Sequence, residues 1–70
     1  MSANDTPFEV GDEVAIIRER HGWHDGSLKG KIVGRYENEN GTYSYSALVE
    51  SEFGDYEVEI AHTRDARLIG

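Results

Sequence analysis

The dipeptide Asn40-Gly41 lies between two segments in which apolar and polar side chains alternate. Residues 31–37 and residues 42–50 both show the period of two that is typical of a β-strand. Asn-Gly is a favoured dipeptide of tight hairpin turns because both residues tolerate a positive φ angle. The pair therefore predicts a β-hairpin, which joins two neighbouring antiparallel strands.

Three further segments are typical of strands. Residues 13–18 are apolar on both faces, which favours a bent strand shared by two sheets. Residues 56–60 place Tyr56, Val58 and Ile60 inward and Glu57 and Glu59 outward, after a short turn at residues 53–55. Residues 66–69 form a last short strand, and residues 61–65 before it are long enough for only one helical turn.

Residues 19–30 interrupt this pattern. Their apolar periodicity stops, and glycine occurs at positions 22, 26 and 30, which predicts a long irregular loop. Residues 1–7 are polar without periodicity and are expected to form a disordered tail. Residues 8–70 are then expected to form one domain.

These elements predict an all-β fold. Closing a sheet protects its edges, and closure suits a chain of 70 residues that shows no helical periodicity. We expect a single small barrel of about five short antiparallel strands, with one helical turn before the last strand.

Three short motifs are similar to those of SH3-like small β-barrels, the class that includes KOW, Tudor-like and PsaE-like domains. VGDEVAI at residues 10–16 resembles the opening strand, KGKIV at residues 29–33 the second strand, and DARLI at residues 65–69 the closing strand. The resemblance covers nearly the whole chain from Phe8. It implies an SH3-like barrel and concerns the fold rather than one family.

The charges are unevenly distributed. The chain has 14 acidic and seven basic side chains, a net charge of −7. Residues 18–35 contain five basic and two acidic side chains, a local charge of +3, whereas residues 37–59 contain seven acidic side chains and no basic one. A mixed-charge surface that keeps the chain in solution explains this pattern most simply, but each half is also a candidate binding surface.

The basic half surrounds the single tryptophan. Phosphate contacts beside an aromatic side chain are typical of small barrels that bind single-stranded nucleic acid. Trp23 is either a lid over the barrel core or an exposed anchor for a partner. The predicted binding residues are Trp23, His24, Arg18, Arg20, Lys29, Lys31 and Arg35.

The acidic half contains carboxylates spaced along strands. Such an array either forms a solvated edge or imitates a nucleic-acid backbone and occupies a basic partner protein. The residues of this alternative acidic surface are Glu37, Glu39, Glu50, Glu52, Glu57 and Glu59.

Chemistry at a catalytic or metal centre is not expected. His21, His24, Asp25 and His62 are potential metal ligands, but a His-x-x-His spacing on a loop lacks fixed presentation and the chain has no cysteine. No nucleophile elbow or phosphate-binding loop is present in the sequence. We therefore expect no enzyme activity, no metal and no cofactor.

The sequence as a whole favours a small binding module that acts in protein–protein interaction or regulation. The alternatives are nucleic-acid binding through the basic half and inhibition of a basic protein through the acidic half. The longest apolar run is four residues, so no membrane partner is expected. We expect a cytoplasmic protein that is a monomer or a weak homo-oligomer.

Overall fold

The computed structural model describes residues 7–20 and 22–69, with residues 25–27 described in their backbone alone. These residues form one antiparallel sheet with the strand order β4-β3-β2-β1-β5. A 3-10 turn, Thr63–Asp65, precedes the last strand. The strands are β1 (Glu13–Glu19), β2 (Gly22–Glu37), β3 (Tyr43–Val49), β4 (Tyr56–Ile60) and β5 (Ala66–Leu68).

The all-β prediction is confirmed, including the helical turn before the last strand. The sheet curls into a half-barrel, and the end of β1 approaches the distant strand β4. The backbone N–H of Arg20, just after β1, donates to the carbonyl of Glu59 at 3.1 Å. Of the predicted tail over residues 1–7, only Pro7 lies within the described residues.

Strand β2 is the longest element and changes partner along its length. Its first part pairs with β1 as far as Lys31, which lies opposite Glu13. Its second part pairs with β3 from Lys31, which lies opposite Leu48, to Glu37. The molecule is consequently elongated, with principal extents of 38, 22 and 21 Å.

The predicted irregular loop over residues 19–30 is wrong. The chain forms a β1–β2 hairpin there, in which Arg18 pairs with Trp23 and Ile16 with Leu28. Between these pairs β1 advances two residues and β2 advances five, so β2 carries three extra residues in a bulge. Residues 18–20 and 22–24 form a two-stranded ribbon beyond the core, and its partly buried side chains, Glu19 and His24, are polar. The sequence of the ribbon therefore does not show the apolar alternation that reveals a strand.

The core lies on the inner face of the sheet. Its side chains come from all five strands and from the segment before β1: Phe8, Val14, Ile16, Ile32, Tyr45, Ala47, Val49, Val58, Ile60 and Ala66. Gly30 permits one close approach, because a Cβ atom there would lie 3.1 Å from Ile16 Cδ1 and 3.3 Å from the Leu48 carbonyl. Backbone and side chains therefore pack tightly where β2 crosses the core.

The predicted strand faces are confirmed for most core positions. Val14, Ala15 and Ile16 are all buried, as expected for a strand that is apolar on both faces. Tyr56 was predicted to point inward but is 45% exposed. It is the first residue of the edge strand and pairs with Val49 at the margin of the core.

The predicted β2–β3 hairpin is confirmed, but its turn differs from the predicted type. Asn38 N–H donates to the Thr42 carbonyl at 2.8 Å, which encloses a loop of three residues. Gly41 has a φ angle of +83°, whereas no described non-glycine residue has a positive φ. The loop is thus a turn followed by a left-handed glycine, and Asn40 accepts a hydrogen bond from Thr42 N–H through its side chain at 3.2 Å.

Candidate functional site

Trp23 lies on the β1–β2 ribbon beyond the core and is 73% exposed. The lid interpretation is therefore wrong, since an indole that covered the core would be buried. Arg18 lies opposite Trp23 in the register, and its guanidinium carbon is 4.9 Å from the centroid of the indole ring. This cation–π contact restrains the indole while most of its surface remains accessible.

The end of the ribbon is attached to the body of the sheet through Arg20. Besides its backbone bond to Glu59, Arg20 donates from Nη1 to Glu59 Oε2 at 2.8 Å. Both side chains are more than half exposed, so the ion pair adds little stability. The backbone bond therefore links the end of the ribbon to β4, and the exposed ion pair lies beside it.

His24 faces the ribbon rather than open solvent. Its Nε2 atom lies 3.7 Å from Glu19 Oε1, too long for a hydrogen bond, and has no hydrogen-bond partner among the described residues. Its neighbour in the sequence motif, His21, lies outside the described residues. Among the described residues no group of three potential metal ligands comes together.

The structure divides the predicted basic residues among separate places. Arg18 accompanies Trp23, whereas Arg20 is paired with Glu59. Lys29 and Lys31 are exposed on β2 and line a groove of about 540 Å³, formed where β2 leaves β3. Glu13 and Glu50 line the same groove, so its charge is mixed.

Arg35 lies on the opposite face from Lys31. The register of β2 against β3 shifts between Ile32 and Gly34, which places Arg35 opposite the buried Tyr45. Its Nη1 donates to the Phe8 carbonyl at 3.3 Å, and its guanidinium carbon is 5.2 Å from the centroid of the Tyr43 ring. A regular strand would have kept residues 31, 33 and 35 on one face, and the bulge prevents this.

The six glutamates of the alternative acidic surface are all exposed. Glu57 and Glu59 project outward from β4, as predicted. Within the described part of the chain, Glu59 is the only one of the six in an ion pair, the one to Arg20.

Sequence reasoning missed the role of Tyr45 as a polar link inside the core. Tyr45 is fully buried, and its hydroxyl accepts a hydrogen bond from Phe8 N–H at 3.3 Å. The same hydroxyl shares a hydrogen bond with Thr63 Oγ1 at 2.7 Å. A buried tyrosine hydroxyl requires partners, but four tyrosines in strands do not reveal which of them reaches two other segments.

No helix among the described residues is both long and apolar enough to cross a membrane. Comparison of the chain with family models, with curated proteins and with solved structures found no match.

Proposed function

We propose that the protein is a small non-enzymatic binding module that contacts a partner protein through the end of the β1–β2 ribbon. The exposure of Trp23 carries this proposal. Tryptophan and arginine are enriched among residues that dominate binding energy, and here the two are stacked on each other before any partner arrives. An accessible indole is otherwise an association hazard for a small protein.

An SH3-like class for the sheet belongs to the same proposal. The strand order, with β5 beside β1, and the 3-10 turn before β5 support it. A chain without cysteine forms no disulfide, which fits a reducing compartment, and we propose a cytoplasmic location. The proposed state is a monomer or a weak homo-oligomer.

The test compares Trp23→Ala with Phe53→Ala. Phe53 is 98% exposed in the β3–β4 turn, so both variants remove an exposed aromatic side chain at different places. Phe53→Ala should unfold within about 0.5 kcal/mol of the wild type. Trp23→Ala should unfold within about 1 kcal/mol of it, because only the exposed cation–π contact with Arg18 is lost. Trp23→Ala should weaken partner capture about thirtyfold, equivalent to about 2 kcal/mol, whereas Phe53→Ala should leave it unchanged.

Tryptophan fluorescence gives an independent measurement before any partner is identified. Because Trp23 is exposed, we expect an emission maximum near that of free indole and efficient quenching by acrylamide. A blue-shifted, protected emission, or capture that is equal for the two variants, would contradict the proposal.

Nucleic-acid binding through Arg18, Lys29 and Lys31 is the first alternative. It requires affinity for single-stranded oligonucleotides that falls steeply with salt, because phosphate contacts release counterions. The mixed charge of the groove beside Lys29 and Lys31 offers this alternative weaker support.

Inhibition of a basic protein through the acidic surface is the second alternative. All six glutamates are exposed, and among the described residues only Glu59 makes an ion pair. The other five carboxylates are therefore open to a basic partner, which supports this alternative. It requires a partner whose binding is weakened by Glu57→Gln and is unchanged by Trp23→Ala.

A further inference from the structure

A cleft of about 450 Å³ lies between the β2–β3 turn and the 3-10 turn. Trp23 is near the start of β2, whereas this cleft lies beyond its end at Glu37, so the two places are at opposite ends of one strand. The volume is within the usual range of small-molecule sites. The side chains that form the walls are Pro7, Thr42, Tyr43, His62, Thr63 and Arg64.

The walls of this cleft are held by the buried hydroxyl of Tyr45. That hydroxyl bonds the backbone of Phe8, next to Pro7, and also bonds Thr63 on the 3-10 turn. Arg35 fixes the same segment through the Phe8 carbonyl. Three segments that are distant in sequence are therefore fixed around the cleft, which makes it a pre-formed site.

The charge of the lining differs from that of the chain. The sequence has twice as many acidic as basic side chains, 14 against seven, yet no carboxylate lines the cleft among the described residues. His62 and Arg64 line it, and Arg35 lies against the ring of Tyr43. Arg64 is exposed and makes no ion pair or side-chain hydrogen bond with any other described residue. Its guanidinium is thus available to a ligand.

We propose that this cleft binds a small organic anion. Arg64 would hold a carboxylate or phosphate group, because the planar guanidinium fork matches both oxyanions. The aromatic wall of Tyr43 would contact the apolar body of the ligand, and His62 offers a further nitrogen. This site is independent of the ribbon and of the function proposed for it.

The test is an NMR titration with benzoate, phenyl phosphate and the neutral analogue benzamide. Benzoate or phenyl phosphate should shift the backbone amides of Thr42, Tyr43 and Arg64 and leave the Trp23 indole N–H unchanged. Benzamide should bind at least several-fold more weakly, because it lacks the charge. The relative affinities of the two anions identify the preferred oxyanion.

Arg64→Gln and Arg67→Gln form a matched pair of variants. Both remove one exposed arginine charge, but Arg67 lies on β5 and outside the lining. We expect the affinity for the preferred anion to fall about tenfold in Arg64→Gln and less than twofold in Arg67→Gln. Equal losses in the two variants, equal affinity for benzamide, or shifts centred on Trp23 would overturn the proposal. An absence of shifts with both anions at tens of millimolar would overturn it as well.

Discussion

Replacement of Tyr45 by phenylalanine tests whether a single hydroxyl links three segments of the fold. The aromatic ring remains in the core, and the change removes the two hydrogen bonds of the hydroxyl, at 3.3 Å to Phe8 N–H and at 2.7 Å to Thr63 Oγ1. Phe8 is buried, so its N–H group is left without a partner, at a cost of about 1–3 kcal/mol. Thr63 is half-buried and can turn its hydroxyl toward water, which limits that loss to about 0.5–1.5 kcal/mol.

The expected destabilisation of Tyr45→Phe is therefore about 1.5–4.5 kcal/mol in urea unfolding. In a chain of 70 residues this corresponds to a fall in thermal midpoint of about 10–30 °C. A domain of this size has only about 3–5 kcal/mol of stability, so the variant should be close to the limit of folding at 37 °C.

Tyr36→Phe is the matched control, because it removes the same atom from a residue that is 56% exposed. The Tyr36 hydroxyl makes no hydrogen bond with other described side chains or backbone groups, and we expect a change within about 0.5 kcal/mol. If the two variants unfold at the same urea concentration, the Tyr45 hydroxyl does not hold these segments together.

Two further tests address other parts of the fold. Gly30→Ala should lose about 1–3 kcal/mol in urea unfolding, since its Cβ would press on Ile16 and the Leu48 carbonyl. Gly22→Ala is the control: its Cβ would meet nothing nearer than Glu19 Oε1 at 3.9 Å, and it should unfold at or slightly above the wild-type midpoint because alanine restricts the unfolded chain. Equal midpoints would show that the close approach at Gly30 is relaxed in solution. Glu59→Gln should lower the free energy of unfolding by less than about 1 kcal/mol, because the ion pair to Arg20 is exposed; a larger loss would show that this pair holds the ribbon.

The sequence was sufficient to predict the strands that cross the core. Tyr45, Ala47 and Val49 alternate with half-buried residues because one face of β3 is covered by the core and the other is not. That difference between faces produces the period of two, so the hairpin at Gly41 and the inward positions of β4 after Tyr56 could be predicted.

The ribbon could not be predicted in the same way. Trp23 and Arg18 pair where neither strand covers the apolar core, and the partly buried side chains beside them, Glu19 and His24, are polar. No apolar period therefore appears in the sequence. The three extra residues of β2 also disrupt any alternation that remained. Glycines in such a segment are as compatible with a bulged strand as with a loop, and periodicity does not separate the two.

The prediction of one basic surface was incomplete for a similar reason. In a regular strand, alternate positions along β2 would put Lys31 and Arg35 on the same face. The register shift between Ile32 and Gly34 instead places Arg35 on the opposite face. The sequence shows the glycine but not the strand pairing that makes it a bulge. Arg64 was missed because a lone arginine in a single turn has no pattern, and only the cleft beside it suggests a role.

The two candidate sites lie toward opposite ends of β2, each separated from the middle of the strand by a register shift. The shift between Ile16 and Arg18 separates Trp23 from the core, and the shift after Ile32 turns Arg35 toward Phe8 and Tyr43. A bulge changes the direction of a side chain without interrupting the strand that carries it. In a domain this small the core occupies only the middle of β2, so its two ends can present different chemistry without removing apolar groups from the core. A stacked indole at one end and an arginine-lined cleft beyond the other would then be separable by mutation, because neither depends on the contacts of the other.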